Sequence, residues 1–405
     1  MRVLVVSDLY PPIAFGGYER TCATLVEGLR ERHAVTVLTS DLRAGQAPAR
    51  AWVRRELAYL GPERREALRV PGAAVRAAAV TRRVVAETRP DIVYVSNCLG
   101  ISQAAPCAAV AAGFPVMYRL SELWFASTLY RGDRFVGYLD GGPRGLRRPW
   151  SWLVRSVNRH PELRLDPTRP SRAAVSWSSE ELRARVTLPR GVEPVLERTI
   201  HPGVGGPFAT TERRPSSPPT IVYAGRVTTA KGAEVAVQAL GSLRASHGID
   251  ARLVLAGHCR RDMERRLTQL AGRLGIVEHV ELVGLLDSDA LARLFARARA
   301  LVVPTVAHEV FGRVTVEAAL ARLPVVASRI GGLPEALHDG EHALLFTPGD
   351  ADACATALAD VLRHPAAAEA RAGRAFGHVQ QFSADRFVAA EEAFMREAVE
   401  VLGAR

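Results

Sequence analysis

Two carboxylates eight residues apart, Glu309 and Glu317, flank a glycine in the run Val306-Ala-His-Glu-Val-Phe-Gly-Arg-Val-Thr-Val-Glu-Ala-Ala-Leu320. Glu309 stands just before Gly312, and Glu317 falls about one turn into the helix that the following residues predict. Upstream, Ala300-Leu-Val-Val-Pro304 is a short apolar run of the kind that fills a parallel strand. A strand, a glycine turn and a helix start make an anion site, because the first backbone N–H groups of a helix have no intrahelical partner. Bound phosphate would repel an acid beside it unless that acid faced something else, and sugar or ribose hydroxyls are suitable partners. The pattern therefore points to a phosphorylated ligand carrying polyols. An ordinary strand-to-helix corner with solvated acids is the plainer alternative.

A second loop adds cations. In Ala224-Gly-Arg-Val-Thr-Thr-Ala-Lys-Gly232, Arg226 and Lys231 leave a strand end together, and Gly225 and Gly232 let backbone approach closely. Two such cations can meet two phosphates and stabilise charge that builds on a leaving oxygen; a surface basic pair is the alternative. The loop lacks the G-x(4)-G-K-[S/T] pattern, which argues against a Walker-type ATPase. A third element, Pro11-Pro-Ile-Ala-Phe-Gly-Gly17, follows the first strand and places bare backbone at Gly16 and Gly17.

These pieces carry a family resemblance. Glu309-x-Phe311-Gly312-x(4)-Glu317 resembles the E-x-F-G-x(4)-E signature of GT4-type retaining glycosyltransferases. The Arg226–Lys231 loop resembles their donor-phosphate element, and Gly16–Gly17 their N-terminal glycine loop. The three motifs occur in the expected order over nearly the whole chain. The resemblance implies a GT-B fold: α/β, with two Rossmann-like βαβ domains whose mainly parallel sheets face across a cleft. It also implies transfer of a sugar from a UDP- or GDP-linked donor, with retention. Arg226 and Lys231 would neutralise the departing diphosphate, Glu317 would bind ribose hydroxyls, and Glu309 would face the donor sugar. Phe311, Gly312, Arg313 and Val314 would complete the donor set, mainly through backbone, with Gly16 and Gly17 approaching the phosphate from the other domain.

The acceptor side departs from that family pattern. Relatives place a histidine after a G-x-P-V element, whereas the stretch here reads Gly113-Phe-Pro-Val-Met-Tyr-Arg-Leu-Ser-Glu122. Ser121 takes the histidine position, or Arg119 with a short slip in register, and serine cannot do a histidine's acid–base work near neutral pH. Glu122 and His201 are further acceptor-side candidates. The segment Arg144–Arg159, with Trp150 and Trp152 among arginines, could lie on a membrane, close over an acceptor or simply pack; Pro149 breaks any long amphipathic face.

Alternating strands and helices must position these loops. The expected boundaries are an acceptor-binding domain over 1–205, a donor-binding domain over 206–380, and a terminal helix over 381–405 that crosses back. The polar, proline-rich Thr210–Pro219 suits the linker. At 405 residues two domains are comfortable. The five scattered cysteines lack ligand spacing and fit a reducing compartment, and the start reads as a strand rather than a signal peptide, so a cytoplasmic location is expected. The net charge of +11 would gather an anionic donor, but 6% aromatics and dispersed arginines make no nucleic-acid face. No metal or other cofactor is expected, and Asp287-Ser-Asp289 reads as a helix N-cap rather than a metal-binding pair. The expected partners are a nucleotide sugar and a small soluble acceptor of specialised metabolism such as antibiotic biosynthesis, without favoured membrane contact. The alternatives are a lipid-linked or cell-envelope acceptor, a sugar-phosphate synthase, and an inactive nucleotide-sugar-binding module. Oligomeric state, donor base and linkage atom are not legible.

Overall fold

The computed structural model describes residues 1–13, 16–60, 69–122, 171–188 and 192–403. The chain divides into two compact units, Met1–His201 with Asp385–Arg405, and Pro202–Ala384. The first unit contains β1 (Arg2–Ser7), α1 (Gly17–Arg30), β2 (Ala34–Ser40), β3 (Val53–Leu57), α2 (Val70–Thr88) and β4 (Ile92–Asn97). It continues with α3 (Ala104–Ala111), β5 (Val116–Leu120), β6 (Ser171–Trp177), α4 (Glu180–Arg185) and β7 (Val192–Thr199). Its seven strands run in the order β3-β2-β1-β4-β5-β6-β7, and the pairs are parallel. The central strands are buried because a parallel sheet is covered on both faces. β4 and β5, for example, are buried along their whole length.

The second unit repeats the plan. It contains β8 (Thr220–Ala224), α5 (Ala233–Ala245), β9 (Arg252–Ala256), α6 (Arg261–Arg273), β10 (Val280–Gly284), α7 (Ser288–Arg297) and β11 (Ala300–Val303). Then follow α8 (Arg313–Leu320), β12 (Val325–Ser328), α9 (Leu333–Ala336), β13 (Leu344–Phe346), α10 (Ala351–Arg363) and α11 (Pro365–Val379). The order β10-β9-β8-β11-β12-β13 is again a parallel, doubly wound sheet. In each unit the strand order reverses between two central strands, β1/β4 and β8/β11. The crevice outside the carboxyl ends of such a pair is where this architecture binds ligands.

The last helix, α12 (Ala384–Gly403), packs with the first unit. Phe387, Val388, Phe394, Met395, Ala398 and Leu402 join the core formed by β1, α1 and β4. Gly28 allows this contact, since a Cβ there would lie 2.8 Å from both Val388 methyls. Among the described residues no helix is long and apolar enough to cross a membrane. All five cysteines are free. Two strands, β3 and β7, carry charges where sequence patterning predicts no strand.

Candidate functional site

The loops after β8 and β11 meet at the switch point of the second unit. β8 runs into Gly225, whose amide bonds to the Ala256 carbonyl at 2.9 Å, while the Gly257 amide reaches Gly284 at 2.7 Å. Three strand ends are thereby laced together. A Cβ at Gly257 would sit 1.8 Å from the Gly225 carbonyl oxygen, so backbone rides directly on backbone. Beyond the turn, Gly232 has a φ of +73° and a Cβ there would lie 1.7 Å from the Pro304 carbonyl. The amides of Val306 and Ala307 both donate to the Ala230 carbonyl at 3.1 Å. These contacts lock the loop carrying the cations to the loop carrying the acids.

The result brings Lys231 onto Glu309, with Nζ 2.6 Å from Oε2. Their side chains keep 25% and 18% of their exposure, so the pair lies at the surface of the crevice and not within the core. The Thr305 hydroxyl is 3.4 Å from the same carboxylate oxygen. Arg226 is exposed, and the Tyr223 hydroxyl holds its carbonyl at 2.7 Å. Burial, then the nearby Glu309 charge, push the Tyr223 phenol well up, so it stays a donor.

Glycines also fix the backbone under Glu309. The Gly332 amide donates to the Glu309 carbonyl at 2.8 Å. A Cβ at Gly331 would lie 2.0 Å from that carbonyl, and one at Gly332 would lie 2.1 Å from the Val310 carbonyl. Gly312, with a φ of +77°, starts α8. The first amides of the helix, including those of Arg313 and Val314, have no intrahelical acceptor. Phe311 is 2% exposed and packs edge-on against Phe382 at 5.0 Å, which leaves only its backbone for a ligand. Glu317, 6% exposed, faces Arg313 at 3.8 Å. The Arg313 guanidinium also donates to the Gly203 carbonyl, so its side chain is engaged within the unit. The Lys231–Glu309 pair thus sits where the loops after β8 and β11 meet, with Arg226 exposed on the first loop and Glu317 about one turn into α8 on the second, an arrangement suited to a phosphate ester with hydroxyls.

The remaining predicted residues lie in the first unit. Gly16 caps α1, accepting no side chain itself but donating its amide to Glu19 at 3.0 Å; Gly17 is exposed beside it. Ser121 receives a hydrogen bond from Ser178 at 3.2 Å beyond the end of β5, with Glu122 next to it. His201 is half-buried at the end of the unit. Arg119 is placed otherwise than an acceptor contact requires. It is 1% exposed, 2.8 Å from the fully buried Glu391 of α12, 2.6 Å from the Ile200 carbonyl and over the Phe387 ring. Its charge is consumed in holding α12, so it leaves the acceptor set. The Arg144–Arg159 segment lies outside the described residues. Asp287 caps α7, accepting from the Ala290 amide at 2.8 Å.

Asp8 escapes the motif reading. It follows β1 at the first unit's own switch point, where its carboxylate accepts the Leu9 and Gly100 amides, both at 2.9 Å, and the Tyr18 hydroxyl. Burial outweighs these bonds and raises its pKa to about 6, with Glu19 adding to the rise. A polar residue directly after the first apolar strand of a βαβ unit was the available signal.

This architecture and chemistry match known families. Residues 16–203 match the glycosyl transferase 4-like domain and residues 209–375 match glycosyl transferases group 1. The chain belongs to the GT4-like glycosyltransferases, which have the GT-B fold, and acts on a nucleotide-diphosphate sugar. It is 29% identical over 394 residues to a glycogen synthase of Mycobacterium tuberculosis, covering 92% of this chain and 88% of that protein. The structure of Anabaena HepE in complex with UDP and glucose superposes with a TM-score of 0.69 at 18% identity, covering 98% of this chain and all of that one. WaaG, a glycosyltransferase involved in lipopolysaccharide biosynthesis, superposes with a TM-score of 0.64 at 17% identity over 97% of this chain and 98% of its own. These two likenesses concern the fold.

Proposed function

We propose that the chain is a retaining glycosyltransferase whose second unit, near 206–380, binds the donor and whose first unit, near 1–205, binds a glycan or lipid-linked glycan acceptor of the cell envelope. The observation that carries the donor reading is the Lys231–Glu309 pair beside the open N-terminus of α8. In this reading Arg226 and Lys231 hold the diphosphate, the amides from Phe311 to Val314 cradle it, and Glu317 takes the ribose hydroxyls. Glu309 lies along the sugar and balances positive charge near its anomeric carbon. The bond between that carbon and the phosphate oxygen breaks, and the nucleoside diphosphate departs against the fixed cations. The acceptor oxygen bonds to the same face, and its proton passes to the departing phosphate oxygen. That route suits a site where Ser121 offers no base. Uridine or guanosine can serve as the donor base, and fixed cations and amides supply the charge that a metal would otherwise bring.

The support for the acceptor reading is that WaaG, which shares this fold, is involved in lipopolysaccharide biosynthesis. Incubation with UDP- and GDP-sugars and two acceptor pools, one of lipid-linked oligosaccharides and one of small soluble metabolites, tests it. Labelled sugar in the lipid-linked fraction is the expected result. Transfer only to the soluble pool would restore the small-molecule reading, and donor binding without turnover would leave a binding module.

A further inference from the structure

Beyond the donor crevice, the loop between α9 and β13 gathers two histidines and a glutamate. His338, Glu341 and His342 place one ligand atom each within 4.8 Å of one another. Glu341 stands between the two imidazoles, with Oε2 3.5 Å from His338 Nδ1 and Oε1 3.6 Å from His342 Nε2. Those separations are long for hydrogen bonds but close to the spacing of about 3.4 Å between ligands of a tetrahedral ion held at 2.0–2.1 Å. His338 and Glu341 are 53% and 60% exposed, so an ion can enter and the outer ligands can turn inward, whereas His342 is 6% exposed and fixed.

The loop is braced before any ion arrives. Arg371 and Arg374 of α11 donate to the Gly340 and Glu341 carbonyls at 3.3 and 3.0 Å. The Leu345 amide holds Asp339 at 2.7 Å, and Arg329 pairs with the same carboxylate. His378 of α11 stacks on the His342 ring at 4.2 Å and forms the back wall. We infer that His338, Glu341 and His342 form a zinc site that staples the α9–β13 loop, which α11 already braces from outside. Two imidazoles and a carboxylate suit zinc and disfavour magnesium, which demands near-octahedral oxygen ligands. The cost is a 3.3 Å contact from the His338 amide to His342 Nδ1, because that nitrogen must carry the proton when Nε2 binds the ion. From this site a chain of rings runs toward the donor loop: His378 lies 5.7 Å from Phe382, and Phe382 lies 5.0 Å from Phe311. The site is separate from the transfer chemistry.

Zinc titration of the full chain against a chromophoric chelator tests this, with magnesium as the control. One zinc per chain is expected, together with a zinc-dependent rise in thermal midpoint. Glu341→Gln and His338→Ala, both at exposed positions, should each weaken zinc binding by roughly tenfold or more and abolish that rise. Absence of binding by the unaltered chain would overturn the inference. Equal zinc affinity in the chain and both variants would also overturn it.

Discussion

Replacing Glu309 by glutamine separates two roles that a simple loss of binding would merge. Lys231 is held by Glu309 at 2.6 Å, and in the proposed donor complex the same ammonium faces phosphate. The ion pair therefore competes with the donor. Both side chains are partly exposed, so the pair is worth about 1 kcal/mol rather than the larger value of a buried pair. Glu309→Gln frees Lys231 and should tighten binding of the nucleoside diphosphate about fivefold, that free energy converted at 1.36 kcal/mol per tenfold. Turnover should move the opposite way. Without the carboxylate beside the anomeric carbon, kcat should fall roughly 10²- to 10³-fold, about 2.7–4 kcal/mol of transition-state stabilisation. Calorimetry with UDP and GDP gives the first quantity and steady-state rates the second. Affinity that weakens in parallel with kcat would refute the competition between carboxylate and phosphate.

Three further outcomes follow from particular side chains. Glu317→Ala should weaken nucleoside diphosphate binding about 10- to 100-fold through lost hydrogen bonds to a charged acceptor, and calorimetry showing normal affinity would remove its ribose role. Arg119→Ala leaves Glu391 buried without its partner and should destabilise the first unit by about 3–5 kcal/mol, measured by urea unfolding; Arg119→Met with Glu391→Leu should recover most of it. Asp8 has its folded pKa raised from 3.8 to about 6, so the folded chain binds its proton more readily. Its contribution to stability is therefore full below pH 3.8 and lost as pH rises through about 6, up to about 3 kcal/mol. Hydrogen exchange in β1 and β4 should show that decline, and Asp8→Asn should flatten it; an unchanged slope would mean Asp8 is not the group responsible.

The motifs of the proposed donor site stand out in the sequence because glycines, cations and acids occupy single loops between apolar strands. The contact that joins Lys231 to Glu309 spans 78 residues, and no local pattern shows that the two loops meet as an ion pair. Strands β3 and β7 were not legible. Val53-Arg-Arg-Glu-Leu57 and Val192–Thr199 lie at the two edges of their sheet, where one neighbour suffices and charged side chains reach water, so no apolar run marks them. Arg119 misled for a different reason. Its partner Glu391 lies 272 residues away on α12, and no local pattern announces a buried cation. Gly331 and Gly332 fall outside every motif, and only the approach of the Glu309 and Val310 carbonyls shows why Cβ atoms are excluded there.

Retaining transfer from a nucleotide-diphosphate sugar fixes the anomeric configuration of the product. Proton NMR of the purified product, made from an α-linked UDP- or GDP-sugar in excess chelator, reads that configuration from the coupling of the anomeric proton. An α-linked product is expected, with turnover that needs no added magnesium or manganese, and with Lys231→Ala and Arg226→Ala losing turnover more than nucleotide affinity. A β-linked product would contradict it, as would a strict requirement for magnesium or manganese.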